Sequence, residues 1–118
     1  MKIIDVPFEH SDERGIFREL ARGDKWKEIN VAERKKGITS GNHYHKVKDE
    51  LFYVYRGRCH LRVLNFKTGK EDNYDFKEND MFVLEPYEMH EFSYSEDTLF
   101  VILLSLAFEQ GNSDTYTL

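Results

Sequence analysis

The residues best suited to chemistry lie in a short segment near the middle of the chain. His43 and His45 are separated by a single residue, and Glu50 follows shortly after them. In a β-strand, residues i and i+2 point to the same face, so the two imidazoles are predicted to converge on one point. Glu50 adds a carboxylate after the chain has turned. His90 is the natural fourth ligand, because it is the only histidine after His60.

Three imidazoles and one carboxylate suit a first-row divalent ion. We therefore expect one bound transition metal, which the ligand types leave open as Zn, Fe, Mn, Ni or Cu. His10 lies beside an acidic turn, so we expect it to be solvated. His60 alternates with an apolar face formed by Cys59, Leu61 and Val63 and is expected to point outward. Cys59 is predicted to pack in the core.

The elements that must position these side chains have the pattern of short β-strands separated by turn residues. The predicted strands are Lys2–Val6, Gly15–Leu20, Trp26–Glu33, Leu51–Tyr55, Cys59–Phe66, Asn73–Phe76, Met81–Leu84, Glu91–Tyr94 and Leu99–Leu106. No stretch keeps a helical apolar period, and Arg18–Lys27 has room for one helical turn at most. Many short strands at this spacing predict an all-β sandwich or barrel.

Length and composition are typical of one soluble domain spanning residues 1–118. Apolar residues make up 40% of the chain and charged residues 33%. The net charge of -5, with basic residues spread along the chain, argues against a nucleic-acid partner. The single cysteine cannot form an internal disulfide, and the longest apolar run, Leu99–Leu104, is too short to span a bilayer. No signal peptide is evident. We expect a cytoplasmic protein without a membrane partner.

The histidine segment resembles the first motif of the cupin superfamily, G-x5-H-x-H-x4-E-x6-G. Gly37, His43, His45, Glu50 and Gly57 occupy every defined position. This resemblance implies a single-domain cupin, a double-stranded β-helix (jelly-roll) barrel with a metal ion inside it.

The second cupin motif, G-x5-P-x-G-x2-H-x3-N, fits only in part when His90 takes the place of its histidine. Asn79, Glu85 and Tyr87 then stand at its glycine, proline and glycine, and Tyr94 stands at its asparagine. The loop before His90 therefore departs from the family pattern.

Two further segments resemble enzymes that act on nucleotide sugars. Residues 12–17, Asp-Glu-Arg-Gly-Ile-Phe, resemble the D-x-R-G-x-F motif of dTDP-4-dehydrorhamnose 3,5-epimerases. Residues 37–52 and the ending at 112–116 resemble the C-terminal cupin domain of bifunctional capsular-polysaccharide enzymes, in which a reductase is joined to a cupin that epimerises a UDP-4-keto sugar at C3. The likeness extends from about Val6 to Tyr116 and does not include the reductase.

The resemblance implies an epimerase or isomerase that abstracts the C3 proton of a 4-keto-6-deoxy nucleotide sugar, through an enolate, in polysaccharide biosynthesis. Arg14 is then expected to contact a substrate phosphate. Among the tyrosines, Tyr53 and Tyr55 should face away from the metal, and Tyr87 is the preferred acid. Lys46 and Glu85 are candidate bases or anchors. The resemblance also implies a homodimer.

The alternative is a small metal-binding cupin with a sensing, storage or oxygenase role and no activity on nucleotide sugars. Fold alone does not choose between the two, because cupins host many chemistries.

Overall fold

The predicted strands are present in a computed structural model of the chain, which describes residues 1–107, 109, 111 and 113–117. The strands are β1 (Lys2–Ile4), β2 (Phe8–Asp12), β3 (Gly15–Glu19), β4 (Glu28–Arg34), β5 (Thr39–Tyr44), β6 (Glu50–Arg56), β7 (Arg58–Asn65), β8 (Glu71–Lys77), β9 (Met81–Leu84), β10 (Glu88–Tyr94), β11 (Thr98–Leu104) and β12 (Tyr116–Thr117). Strands β2, β5 and β12 are not among the nine strands predicted from the sequence. Residues 18–27 contain no helix. The all-β class is confirmed.

Ten of these strands form two antiparallel sheets. Sheet I has the order β1-β9-β6-β11-β4, and sheet II has the order β12-β5-β10-β7-β8. Most neighbours in each sheet are distant in sequence, so the sheets are held by long-range pairing. Strand β6 in sheet I is followed directly by β7 in sheet II, which means that the chain crosses from one sheet to the other at Gly57.

Apolar side chains from both sheets meet in one core. The fully buried members include Val54 and Phe82 of sheet I and Leu61 of sheet II. Burying a side chain of this size stabilises a fold by about 1.5–3 kcal/mol. Cys59 belongs to this cluster and is 3% exposed, which confirms its predicted place. His60, its neighbour on β7, points outward to Asp75.

The outer face of sheet I carries a second apolar cluster. Its buried residues are Leu51, Tyr53, Met81, Val83 and Leu103. The segments that flank the β2–β3 hairpin cover them, through partly buried side chains that include Leu20 and Trp26. Strand β6 is therefore buried on both faces, and Tyr53 faces away from the barrel interior as predicted.

Strands β2 and β3 form a separate two-stranded hairpin. It exposes three large apolar side chains, Phe8, Ile16 and Phe17, of which Phe17 is 65% exposed. Within the described part of the chain, no helix has the length and apolar character needed to cross a membrane.

Candidate metal centre

A β-bulge in β5 directs the first histidine into the barrel. In the pairing of β5 with β10, Phe92 lies opposite Ser40 and His90 lies opposite His43, with a register shift between them. The extra residue is accommodated by left-handed backbone at Gly41 (φ +102°) and Asn42 (φ +65°). Bulges commonly re-aim side chains next to functional sites. Here the bulge lets Ser40 and His43, three positions apart, face the same interior.

The close approach of the two strands explains why residue 41 is a glycine. A Cβ atom at Gly41 would lie 2.7 Å from the carbonyl oxygen of His90, shorter than real Cβ contacts. The absence of a side chain therefore brings β5 and β10 together at the point where their histidines pair.

The four predicted ligands converge from both sheets. His43 ends the bulge on β5, His45 follows that strand, His90 lies on β10, and Glu50 begins β6 in sheet I. One ligand atom from each residue lies within 4.8 Å of all the others. His45, Glu50 and His90 are buried, and His43 is half-buried. The structure thus brings together all the residues that the sequence predicts as ligands.

The ring nitrogens face one another with their lone pairs inward. The Nδ1 atoms of His45 and His90 each lie near a backbone carbonyl, at 2.6 Å from Asp114 and 3.2 Å from Glu88. Because a carbonyl oxygen only accepts, each Nδ1 carries a hydrogen, and in the neutral ring each Nε2 is left as a lone-pair donor. The Nε2 of His90 lies 3.1 Å from the Nε2 of His43.

This arrangement has a place for a cation. His45 Nε2 and Glu50 Oε1 lie 2.5 Å apart, yet both are buried without a hydrogen-bond partner. A lone pair beside a carboxylate oxygen is unfavourable in a buried site unless a proton or a metal ion lies between them. The donor set and its convergence therefore fit a divalent transition metal.

The protonation states at neutral pH also suit metal binding. Burial lowers the pKa of His90 to about 4 and lowers the pKa of His43 as well. Burial alone would raise the pKa of Glu50, but its contact with His45 and the nearby charges outweigh burial and hold that pKa below its usual value. His43 and His90 are thus neutral and the carboxylate is charged, as metal ligands must be.

A cavity of about 130 Å³ opens beside His43, Glu50 and His90. Its apolar wall is formed by Phe52, Phe92, Phe100 and Ile102. Its polar residues beyond the ligands are Arg34, Ser40 and Tyr94. A cavity of this size holds only part of a ligand as large as a nucleotide sugar.

These three polar residues were not among the sites predicted from sequence. The Tyr94 hydroxyl lies 2.7 Å from Ser40 Oγ. Burial raises the pKa of Tyr94 despite the opposing effects of Ser40 and Arg34, so its hydroxyl keeps its proton at neutral pH. Arg34 makes no ion pair with any residue that the structure describes. Tyr94 lies four positions after His90 on one strand, and this even spacing is the signal that identifies it.

The residues predicted as acid, base or anchor lie elsewhere. Tyr87 packs near Tyr44, with 6.3 Å between ring centroids. Lys46 places its Nζ 4.1 Å from the ring centroid of Tyr116. Glu85 lies 3.7 Å from the Nζ of Lys2. None of the three lines the cavity beside the histidines. Their catalytic roles stay predictions.

Arg14 lies at the turn of the β2–β3 hairpin. Its guanidinium donates to Asp12 at 2.7 Å, and its side chain is 80% exposed. It is absent from the lining of the histidine cavity. The phosphate contact assigned to it also stays a prediction.

The family described as the polysaccharide biosynthesis C-terminal domain matches residues 10–116. The chain belongs to this family. The sequence is also 28% identical over 116 residues to UDP-2-acetamido-2,6-beta-L-arabino-hexul-4-ose reductase of Pseudomonas aeruginosa. That match covers 95% of this chain and 31% of the reductase, so the chain spans about a third of the length of its curated relative.

Solved structures of nucleotide-sugar enzymes share the fold. The dTDP-4-dehydrorhamnose 3,5-epimerase from Sulfolobus tokodaii superposes with a TM-score of 0.77 at 21% identity, covering 90% of this chain and 71% of the epimerase. QdtA, a sugar 3,4-ketoisomerase from Thermoanaerobacterium thermosaccharolyticum solved with TDP, superposes with a TM-score of 0.80 at 17% identity. The match covers 98% of this chain and 85% of QdtA. These likenesses confirm the predicted jelly-roll barrel fold.

Proposed function

We propose that this domain binds one divalent transition metal and epimerises or isomerises a 4-keto-6-deoxy nucleotide sugar through its C3 proton. The observation that carries the proposal is the convergence of His43, His45, Glu50 and His90 beside a small cavity. Membership of a polysaccharide-biosynthesis family supports a sugar substrate. The enzymes with which the fold is shared include a 3,5-epimerase and a 3,4-ketoisomerase.

The size and lining of the cavity suit the reacting part of such a sugar. A volume of about 130 Å³ would accommodate the keto carbon and its neighbours, with the nucleotide outside the mouth. The rings of Phe52, Phe92 and Phe100 provide an apolar wall, which favours a methyl group over the hydroxymethyl group of an ordinary hexose. The guanidinium of Arg34, at the same cavity, suits the negative charge of a diphosphate.

The chemistry requires a base, a stabiliser for the enolate oxygen and an acid. The 4-keto group acidifies the C3 proton, and a proton returned to the opposite face of the carbon inverts it. A metal held by the four ligands would supply a Lewis acid toward the keto oxygen. Tyr94 keeps its proton at neutral pH and lines the cavity, so we assign it as the proton donor.

The roles predicted for Tyr87, Lys46, Glu85 and Arg14 remain part of the proposal, because a bound substrate extends beyond the cavity. Tyr94→Phe and Tyr87→Phe form a matched pair that separates the two candidate acids. If Tyr94 is the proton donor, Tyr94→Phe should lower kcat by about 100-fold or more, the usual contribution of general acid catalysis. Tyr87→Phe should then leave kcat nearly unchanged. The reverse result would assign Tyr87.

The test of the function has two steps. Metal analysis of the purified protein should find close to one transition-metal ion per chain, and the double substitution His43→Ala with His45→Ala should remove it. Metal-replete protein is then incubated in D₂O with UDP- and dTDP-linked 4-keto-6-deoxy sugars, and NMR follows deuterium entering C3. Metal binding without any exchange would favour the sensing, storage or oxygenase alternative.

We also propose that two copies of the chain associate. The hairpin exposes Phe8, Ile16 and Phe17, and the outer face of β4 exposes Ile29 and Val31, which are 70% and 66% exposed. Apolar surface of this kind is typical of an interface between protein chains. Sedimentation equilibrium should give twice the chain mass, and a monomer at micromolar concentration would contradict this.

A further inference from the structure

The segment 113–117 closes over the loop that carries the metal ligands. Strand β12 pairs with β5, with Tyr116 opposite Tyr44 and Thr117 opposite His43. Just before it, Asp114 adopts left-handed backbone at φ +50°, which is uncommon for a residue other than glycine. Asp114 is only 5% exposed.

The carboxylate of Asp114 organises the turn between two ligands. It accepts hydrogen bonds from three successive backbone N–H groups, those of Lys46 and Val47 at 3.0 Å and of Lys48 at 2.9 Å. These residues link His45 to Glu50. Burial opposes the charge on Asp114, but the three N–H groups outweigh it and hold its pKa below the usual value. The turn is therefore built around a charged carboxylate from a distant part of the chain.

The backbone of the same residue fixes the tautomer of one ligand. The carbonyl oxygen of Asp114 lies 2.6 Å from Nδ1 of His45, so Nδ1 carries a hydrogen and the neutral ring has the Nε2 lone pair toward Glu50. Lys48, 6% exposed, also places its Nζ 3.3 Å from the carbonyl oxygen of Ser113. One residue thus holds both the spacing between two ligands and the orientation of one of them.

We propose that Asp114 is a positioning residue of the metal centre and that docking of the segment 113–117 is needed for full metal affinity. This inference rests on the proposed metal binding. Hydrogen-bond partners of metal ligands typically change metal affinity by 10–100-fold when they are removed. Removing the Asp114 carboxylate frees the turn and, through it, the carbonyl that orients His45, so we expect a loss in that range.

The first measurement is affinity for Zn²⁺, by competition with a chromophoric chelator, in wild type, Asp114→Ala, Asp114→Asn and Thr115→Ala. Thr115 is the matched control, because its exposed hydroxyl bonds to the carbonyl of Ser113 and to no other residue that the structure describes. Asp114→Ala should bind Zn²⁺ about 10–100-fold more weakly. The Zn²⁺ affinity of Asp114→Asn should lie between those of wild type and Asp114→Ala, since one amide oxygen replaces two carboxylate oxygens. Thr115→Ala should match wild type.

The second measurement uses metal-free protein and is independent of the first. Long-range ¹H–¹⁵N NMR correlations report which imidazole nitrogen carries the hydrogen. His45 should be the Nδ1–H tautomer in wild type and a mixture of tautomers in Asp114→Ala. If Asp114→Ala does not fold, Asp114→Asn is used for both measurements.

The outcomes separate the two proposals. Wild-type affinity for Zn²⁺ together with an unchanged His45 tautomer in the Asp114 variants would overturn the positioning role and leave metal binding intact. A wild-type protein that binds none of Zn²⁺, Fe²⁺, Mn²⁺, Ni²⁺ and Cu²⁺ but shows the tautomer change would overturn the metal proposal, and would confine Asp114 to orienting His45. Weaker Zn²⁺ binding with the tautomer change supports both.

Discussion

Replacing Gly41 with alanine tests the link between the bulge and the metal centre. Gly41 has φ +102°, and the added Cβ would lie 2.7 Å from the carbonyl oxygen of His90. Gly37 is the matched control, because it has φ +86° and nothing within 4 Å of an added Cβ. Both substitutions place alanine in left-handed backbone, and only Gly41→Ala also forces two strands apart.

The expected losses of unfolding free energy follow from the backbone strain and the steric contact. Left-handed backbone costs a residue other than glycine roughly 1–2 kcal/mol, which is the expected loss for Gly37→Ala. Overpacking in a tight site adds about 1–3 kcal/mol, so Gly41→Ala should lose about 2–5 kcal/mol. The displaced carbonyl belongs to His90, a proposed metal ligand. The extra stability that added metal provides should therefore also shrink for Gly41→Ala and persist for Gly37→Ala.

Urea unfolding, followed by the fluorescence of Trp26, measures both effects in chelator and in added Zn²⁺. Trp26 is the only tryptophan and packs in the cluster that covers sheet I, so its emission reports global unfolding. Equal losses for the two glycine variants would show that β5 and β10 are not in close contact at the bulge. If added Zn²⁺ raises the unfolding free energy of Gly41→Ala as much as that of wild type, the bulge does not position His90.

Three further outcomes are expected. Burial raises the pKa of Cys59 to about 12, so the native thiol should react slowly with a thiol reagent at pH 8 and rapidly in urea; fast native labelling would mean the opposite face of β7 is buried. Burial lowers the pKa of His90 from 6.5 to about 4, so the unfolded state binds more protons below pH 6.5. Between pH 6.5 and 4, the metal-free wild type should therefore lose about 3 kcal/mol more unfolding free energy than His90→Gln does. Parallel plots of unfolding free energy against pH for the two proteins would refute this. Phe82→Ala should cost about 3–5 kcal/mol by urea unfolding, because Phe82 is fully buried; a cost under about 1 kcal/mol would mean that the two sheets do not enclose the ring.

The sequence by itself determined the features that depend on local periodicity. Alternation along β7 predicted that Cys59 is buried and that His60 faces outward, because successive side chains of a strand point to opposite faces. The spacing of His43, His45 and Glu50 predicted a ligand cluster, and His90 was identified by motif and by elimination. Hydrophobic runs and turn residues likewise predicted nine of the strands, since both are short-range signals.

Only the tertiary structure decided which other residues share the cavity. Strict alternation from His43 would place Ser40 on the opposite face of the strand. The bulge at Gly41 and Asn42 adds one residue, so both side chains face the interior. The bulge depends on cross-strand register with β10, which no local pattern specifies. The same register brings Tyr94 beside Ser40.

Long-range contacts also decided what supports the ligands. Strand β12 is too short for a periodic signal, and it forms because β5 offers it a partner. Asp114 reaches back 66 to 69 positions to bond His45 and the turn that follows it. Hydrogen-bond partners over such separations are chosen by the packing of the whole barrel. For this reason the sequence identified the candidate ligands, and the structure was needed to show what holds them in place.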